Sequence, residues 1–266
     1  MASADLSPAA RAFDAVADVF DVRFTPWLSV AAQRRAVRDE LLAAFPRGAR
    51  LLEIGGGTGE DALWVADRDR EVVMTDASPA MVRAAAAKFG GRPGLSARVA
   101  AAEDLTAIEG RFDGAWSNFA GLNCVADLSP VGKQLARLLQ PGASAILVVF
   151  GSCCVGEMIV EAVRGRPRNV FRRFARGPVA ARLGGNDFTV CYHRARGIRQ
   201  AMAPWFDDAG RRGIGVFVPP SAAEPRISRH PRFLSVLEAV DEASARPLAM
   251  FGDHILYRFV RNAVPA

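Results

Sequence analysis

The residues with the clearest chemical potential are Glu53 and the glycines after it, in Leu51-Leu52-Glu53-Ile54-Gly55-Gly56-Gly57-Thr58-Gly59. Glycine here permits positive φ and lets backbone approach a ligand closely. A loop of this kind between a strand and a helix is a nucleotide-cofactor loop, and two kinds of cofactor use it. A dinucleotide wants a further glycine at position 60 and seats its pyrophosphate on the helix N-terminus. Position 60 is Glu60 instead, and Asp61 follows. Two carboxylates in the first helical turn repel a pyrophosphate over a few ångströms. A cofactor with positive charge and no phosphate tolerates them, and Glu53 adds a third acid beside the loop.

S-adenosylmethionine (SAM) meets that description, with a sulfonium, an amino group and no phosphate. Asp76, in Val72-Val73-Met74-Thr75-Asp76-Ala77-Ser78, is an acceptor with two oxygens, suited to a pair of ribose hydroxyls. Alternatively it caps the helix that opens at Ser78-Pro79. The pattern E-x-G-x-G-T-G, with an acid closing the next strand, resembles the class I SAM-dependent methyltransferases over residues 45–150. In style it is nearest the branch holding the ubiquinone and menaquinone C-methyltransferases. The resemblance implies SAM as cofactor, S-adenosylhomocysteine as product, and contacts from Glu53, Gly55, Gly57, Asp76 and Ala77. It further implies that the backbone of Ala102 and Glu103 serves the adenine. Asn118 and Phe119 would pass beneath the methionine end, a main-chain carbonyl near Asn118 accepting from the amine. Phe13-Asp14-x-x-Ala17-x-x-Phe20-Asp21 resembles a segment that covers the cofactor in that branch, with Phe20 in place of its tyrosine. One departure is plain: Ala100 and Ala101 stand where the family has Gly and Asp, so the adenine acid is missing or replaced by Glu103.

Methyl transfer needs position, water exclusion and, for some acceptors, removal of a proton. It requires no Ser-His-Asp set and no metal, and no metal site is expected. His193, Tyr192 and Glu157 are the candidates for a base or an acceptor-orienting group. Each is equally open to a satisfied structural role. Asn123 either faces the acceptor or makes a local turn bond. His254, beside Asp253, reads as a structural hydrogen-bonding residue, and His230 as the surface start of a helix.

Elements must position these groups. Residues 8–45 have helical spacing, broken at Pro26. Strands at 50–54, 71–75, 95–100, 112–117 and 145–150 alternate with helices at 60–67, 79–89 and 130–139. That alternation predicts a doubly wound α/β fold, with ligands at the carboxyl ends of the strands. The resemblance makes it a mostly parallel seven-stranded sheet with an N-terminal helical cap and an insertion after the fifth strand. The expected division is a cap at 1–45, a SAM-binding core at 46–150, a basic insertion or lid at 151–210, and the rest of the sheet at 211–266. Helices are expected at 194–205 and 231–245, strands at 213–218 and 254–260, and little strand structure within 151–190.

The insertion carries the clue to substrate. Arg164, Arg166, Arg168, Arg172, Arg173, Arg176 and Arg182 occur with no acid between Ala162 and Asn186, interleaved with Val170, Phe171, Phe174 and Val179. Such a segment recruits an anionic substrate, lies on an anionic membrane through 164–182, or is a solvated face with its aromatics turned inward. Nothing resembles a nucleic-acid module. The net charge of +6 is almost all arginine. The four cysteines show no CxxC spacing. The start of the chain, Met1 to Leu6, lacks a signal-peptide pattern, and the apolar run from Ala143 to Gly156 is too short for a span. The expected setting is cytoplasmic or membrane-peripheral, with a small-molecule or lipid-like acceptor. The competing functions are a nicotinamide-dependent oxidoreductase and a non-catalytic SAM-fold binding protein.

Overall fold

A computed structural model of the chain describes residues 6–119 and 121–266. Residues 1–5, on which the signal-peptide expectation rests, lie outside them. Helices α1 (Pro8–Asp14), α2 (Ala17–Phe24) and α3 (Leu28–Ala44) lead into β1 (Arg50–Ile54). The winding continues through α4 (Glu60–Ala66), β2 (Glu71–Asp76), α5 (Pro79–Phe89), β3 (Leu95–Val99), β4 (Phe112–Ser117), α6 (Ser129–Leu138) and β5 (Leu139–Phe150). After β5 come α7 (Val155–Val163), α8 (Pro167–Val170), β6 (Val179–Leu183), β7 (Asn186–Val190) and α9 (Ala195–Met202). The last elements are β8 (Phe206–Ile214), α10 (Pro231–Ser244) and β9 (His254–Arg261).

The seven-stranded sheet runs β3-β2-β1-β4-β5-β9-β8. Strands β1 to β5 are parallel, and β9 is antiparallel to both its neighbours. The doubly wound, mostly parallel sheet expected from the sequence is the one the chain forms. Its winding reverses between β1 and β4, which is where such sheets open a ligand crevice.

Both faces of the sheet are covered, so the central strands are apolar throughout. Side chains alternate across the strand. Leu52, Ala145, Leu147 and Val149 pack on one face with Leu135 of α6 and with Ile198 and Met202 of α9. Leu51, Ile146 and Val148 pack on the other with Val37 and Leu41 of α3 and Val65 of α4. Helix α9 is thus an ordinary layer helix, and the segment expected as a lid through 210 contains part of the core.

Two further expectations are corrected. Residues 151–190 contain a hairpin, β6–β7, turning on Gly184 (φ +56) and Gly185 (φ +81). A two-residue hairpin turn of the primed type needs positive φ at both positions, which Gly-Gly supplies. The strand expected at 213–218 runs instead over Phe206–Ile214. It is an edge strand, and its polar first half, Asp207-Asp208-Ala209-Gly210-Arg211, faces solvent and carries no apolar alternation.

Candidate cofactor site

The glycine loop follows β1 at the reversal point, with Gly55, Gly57 and Gly59 at φ +66, +58 and +77. The three have different jobs. A Cβ on Gly57 would meet nothing within 4 Å, whereas one on Gly59 would stand 2.6 Å from the Phe89 ring. Gly57 therefore keeps space open for a ligand, and Gly59 lets α4 settle on α5. The pocket is lined by Glu53, the loop from Gly55 to Thr58, Asp76, Ala77, the turn from Ala100 to Glu103, Asn118 and Phe119. All nine residues assigned to the cofactor from the sequence line this one cavity.

Asp76 ends β2, and its carboxylate ties the glycine loop to the start of α5, where Ser78 rather than Asp76 is the N-cap. Its Oδ2 accepts from Gly57 N at 2.9 Å and its Oδ1 from Ser78 N at 2.8 Å. Ser78 itself caps α5, accepting from Met81 N at 3.1 Å. A carboxylate has about four lone-pair positions, so two stay free for hydroxyl donors. Burial pushes the Asp76 carboxyl upward, opposed by those two backbone donors.

Glu53 is more unusual. Its Oε1 accepts from Trp116 Nε1 at 3.0 Å, and its Oε2 is buried with no partner. Burial first, then the charge of Asp61, raises its carboxyl to about 8. Arg34 lines the same cavity with its own buried Nε unpartnered. Its guanidinium lies 5.5 Å from the centre of the Phe119 ring. Phe119 holds φ +45, which a non-glycine residue adopts only when its surroundings impose it.

The charge argument made from the sequence needs revision. Glu60 and Asp61 are not bare: Lys88 pairs with Glu60, and Arg38 Nε meets Asp61 Oδ1 at 2.7 Å. Asn118 Nδ2 donates to the other Asp61 oxygen at 2.7 Å. Of the acids at this end of the cavity, Glu53 keeps a buried oxygen with no hydrogen-bond partner.

The N-terminal helices form one wall, contributing Ser7, Ala10, Phe13 and Phe20. Two aspartates hold them there. Asp14 Oδ1 accepts from Ser78 Oγ at 2.8 Å and from Ala80 N at 2.7 Å. Asp21 accepts from Thr58 Oγ1 at 2.6 Å and from Lys88 Nζ at 2.7 Å. The Asp-containing segment thus ties the cap to both cofactor loops, and Thr58 serves that latch. Phe20, where the related pattern has tyrosine, lines the cavity with its ring.

The three candidates for a base do not line the cavity. Glu157 is corrected to a structural role: Arg172 Nε lies 2.7 Å from its Oε1 and Arg173 Nη2 2.5 Å from its Oε2. These two arginines hold its carboxyl below the usual range against the burial that would raise it. Tyr192 has its ring centre 6.0 Å from that of Phe150 and lies beside the Arg173 guanidinium; burial raises its hydroxyl. His193 Nε2 faces the carbonyls of Leu122 at 3.2 Å and Val125 at 3.0 Å, so that nitrogen carries the proton. Burial lowers its pKa. Leu122 and Val125 do line the cavity, so His193 supports a wall of it. Asn123 is also internal: its Nδ2 donates to Cys191 O at 2.6 Å and its Oδ1 accepts from Phe150 N at 2.9 Å. His254 Nδ1 lies 3.2 Å from Gln33 Oε1, as a structural histidine would. Cavity residues missed from the sequence are Arg34, Met81 and Cys124, whose thiol burial pushes up to about 12. Arg34 left no local signal, because it sits in a helix read only for its apolar spacing.

The cavity fits SAM on its own chemistry. Glu53 and Arg34 offer a carboxyl and a guanidinium for an amino-acid end, Arg34 lying 3.9 Å from Asp61 Oδ1, and Asp76 keeps free acceptor capacity for a ribose. At the adenine turn, Ala101 bridges only to Asp104, and Glu103 is the acid on the cavity wall.

Comparison with known proteins agrees. The family described as a methyltransferase domain matches residues 51–142. The malonyl-[acyl-carrier protein] O-methyltransferase of Pseudescherichia vulneris is 32% identical over 146 residues, which is 54% of this chain and 57% of that protein. A ubiquinone/menaquinone biosynthesis C-methyltransferase of Rubrivivax gelatinosus is 27% identical over 143 residues, covering 53% of this chain and 55% of its own. The chain spans a little over half the length of these curated relatives. Among solved structures, a SAM-dependent methyltransferase from Mesorhizobium loti aligns at TM-score 0.55 with 18% identity, over 84% of this chain and 96% of the other. The geranyl diphosphate C-methyltransferase of Streptomyces coelicolor, solved with S-adenosylhomocysteine, aligns at TM-score 0.53 and 15% identity over 86% of this chain and 79% of its own. At these identities the structures speak to fold. Residues 51–142 thus match the methyltransferase-domain family, and the sheet order and glycine loop have the fold of SAM-dependent methyltransferases.

Proposed function

We propose that the chain is an enzyme that moves a methyl group from SAM to a small-molecule or lipid-like acceptor by in-line displacement. The observation that carries this is the unpartnered carboxylate oxygen of Glu53, buried in a cavity that Gly55, Gly57 and Asp76 also line. SAM, when bound, supplies a methyl group already activated on a sulfonium. The chain supplies position. Asp76 holds the ribose hydroxyls, Glu53 and Arg34 hold the charged amino-acid end, and the backbone of Ala102 and Glu103 meets the adenine. Phe13, Phe20 and Met81 exclude water, which suits an apolar acceptor.

His193, by bridging the carbonyls of Leu122 and Val125, is a positioning residue for the acceptor side. A general base is not part of this reading, because Glu157 and His193 are committed elsewhere and neither they nor Tyr192 line the cavity. One relative is a malonyl-[acyl-carrier protein] O-methyltransferase and another a C-methyltransferase of ubiquinone/menaquinone biosynthesis, which supports a lipid-like or carrier-linked acceptor without choosing between them. A nicotinamide cofactor would set its pyrophosphate near the unpaired Glu53, at a cost that SAM avoids.

Titration of Asp76→Ala with S-adenosylhomocysteine tests the site. Loss of two charge-assisted hydrogen bonds of about 1.5–3 kcal/mol each predicts binding weaker by roughly two to four orders of magnitude. Equal affinity in parent and variant would remove Asp76 from the site, and NADH binding to the parent would overturn the cofactor.

A further inference from the structure

Helix α7 is turned the wrong way round for a helix that packs on a core. Its Val155, Ile159 and Val163, at positions i, i+4 and i+8, share one face and are exposed, Val163 by 78%. Its acids, Glu157 and Glu161, are buried and held by Arg172, Arg173, Arg164 and Asn169. Two aromatics just beyond it, Phe171 and Phe174, are exposed as well. Large apolar side chains facing water beside buried carboxylates mark a surface that meets something apolar.

The charge around this ridge is one-sided. Arg166, Arg168 and Arg176 are exposed and, among the described residues, make no ion pair. The acids of α7 are spent inside. Of the arginine run, Arg164, Arg172 and Arg173 pair with buried Glu157 and Glu161, Arg182 pairs with exposed Asp187, and three remain. Helix α7 follows directly from the carboxyl end of β5, so the ridge lies on the same edge of the sheet as the cofactor loops. A second copy of the chain docked through a two-fold axis would set these guanidiniums against one another. An anionic lipid surface meets both features at once, apolar side chains entering the acyl boundary and arginines reaching headgroup phosphates.

We propose that the ridge formed by Val155, Ile159, Val163, Phe171 and Phe174, with Arg166, Arg168 and Arg176, is a docking surface for an anionic membrane. The proposal rests on surface chemistry and stands whether or not methyl transfer is the activity. Together with that activity, it places the cavity at the source of a lipid-like acceptor.

Co-sedimentation of the full chain with vesicles tests it, comparing phosphatidylcholine alone with phosphatidylcholine plus phosphatidylglycerol. The parent is expected to partition onto the phosphatidylglycerol vesicles only, and to be released by high salt. Converting Arg166, Arg168 and Arg176 to glutamine should weaken partition about a hundredfold, roughly fivefold per guanidinium. Ile159→Glu with Phe171→Glu should abolish it. S-adenosylhomocysteine affinity should be unchanged in both variants, which shows that they fold and separates this surface from the cofactor site. Absence of partition by the parent overturns the proposal, as does equal partition of parent and variants. A dimer on gel filtration that Ile159→Glu dissociates would overturn it in favour of self-association, and the salt response of the parent reads the outcome without any variant.

Discussion

Replacing Glu53 with glutamine should change how cofactor binding depends on pH, and the size follows from the site. In the cofactor-free protein, burial and then Asp61 raise the Glu53 carboxyl to about 8. At neutral pH it is mostly protonated, yet a cation beside it is best served by the carboxylate. Binding then includes the work of removing that proton. The penalty on affinity is a factor of one plus ten to the power of the pKa less the pH, about 100 at pH 6 and about 2 at pH 8. Affinity for SAM should therefore rise roughly fiftyfold over that window, about 2.3 kcal/mol. About 0.9 proton should leave per SAM bound at pH 7. Glutamine occupies the same space and cannot ionise, so Glu53→Gln should bind with neither dependence. Calorimetry at pH 6, 7 and 8, in two buffers of different ionisation enthalpy, measures affinity and proton release together. The amino group of SAM itself begins to titrate at the alkaline end, so the quantity to follow is the ratio of parent to variant. If that ratio does not change with pH, Glu53 is not the group that meets the cation. The same shift acts on stability. A carboxyl raised from its ordinary 4.5 to about 8 favours the folded state fully below 4.5, and that contribution is lost as pH rises through 8. Melting of the cofactor-free parent should accordingly fall between pH 5 and 8 more than that of the variant.

Four other substitutions probe the frame around the site. Gly57→Ala and Gly59→Ala should separate binding from stability: both incur the strain of positive φ, about 1 kcal/mol. Only the alanine at 57 intrudes on cofactor space, while the one at 59 meets the Phe89 ring and should cost more in thermal melting. Arg173→Met should strip Glu157 and Asp253 of their shared buried partner; about 3–5 kcal/mol predicts a melting point lower by roughly 10 °C. A loss of only a degree or two would mean the carboxylates find other partners. Asp21→Ala should release the cap from Thr58 and Lys88, giving faster S-adenosylhomocysteine dissociation in stopped-flow and earlier proteolysis before residue 28; unchanged off-rates would show that the latch does not gate the site.

Much of this protein is decided by local pattern. Strands buried on both faces read as apolar runs, and the helices between them carry period and caps, so β1 to β5 and the glycine loop are legible from the chain. So are the nine cofactor-site residues, because loops at consecutive strand ends bring them together whatever the packing details. The hairpin at Gly184-Gly185 carries its signal in the turn alone, because its strands lack apolar alternation strong enough to stand out among the arginines. Other features depend on what lies opposite in space. Glu157 and Arg173 are far enough apart in the chain that only the fold makes them an ion pair, and that pairing takes Glu157 away from chemistry. Glu60 and Asp61 look like bare acids until Lys88 and Arg38 arrive from other helices. Arg34 is one arginine among many until the fold places its guanidinium in the cavity that Glu53 lines. Chain order alone determined that a cation-bearing nucleotide cofactor is expected at Gly55 to Gly59. The tertiary structure decided which acids are already paired and which keep an open oxygen, since a carboxylate's charge at neutral pH depends on burial and neighbours, and neither is a property of the residue's place in the sequence.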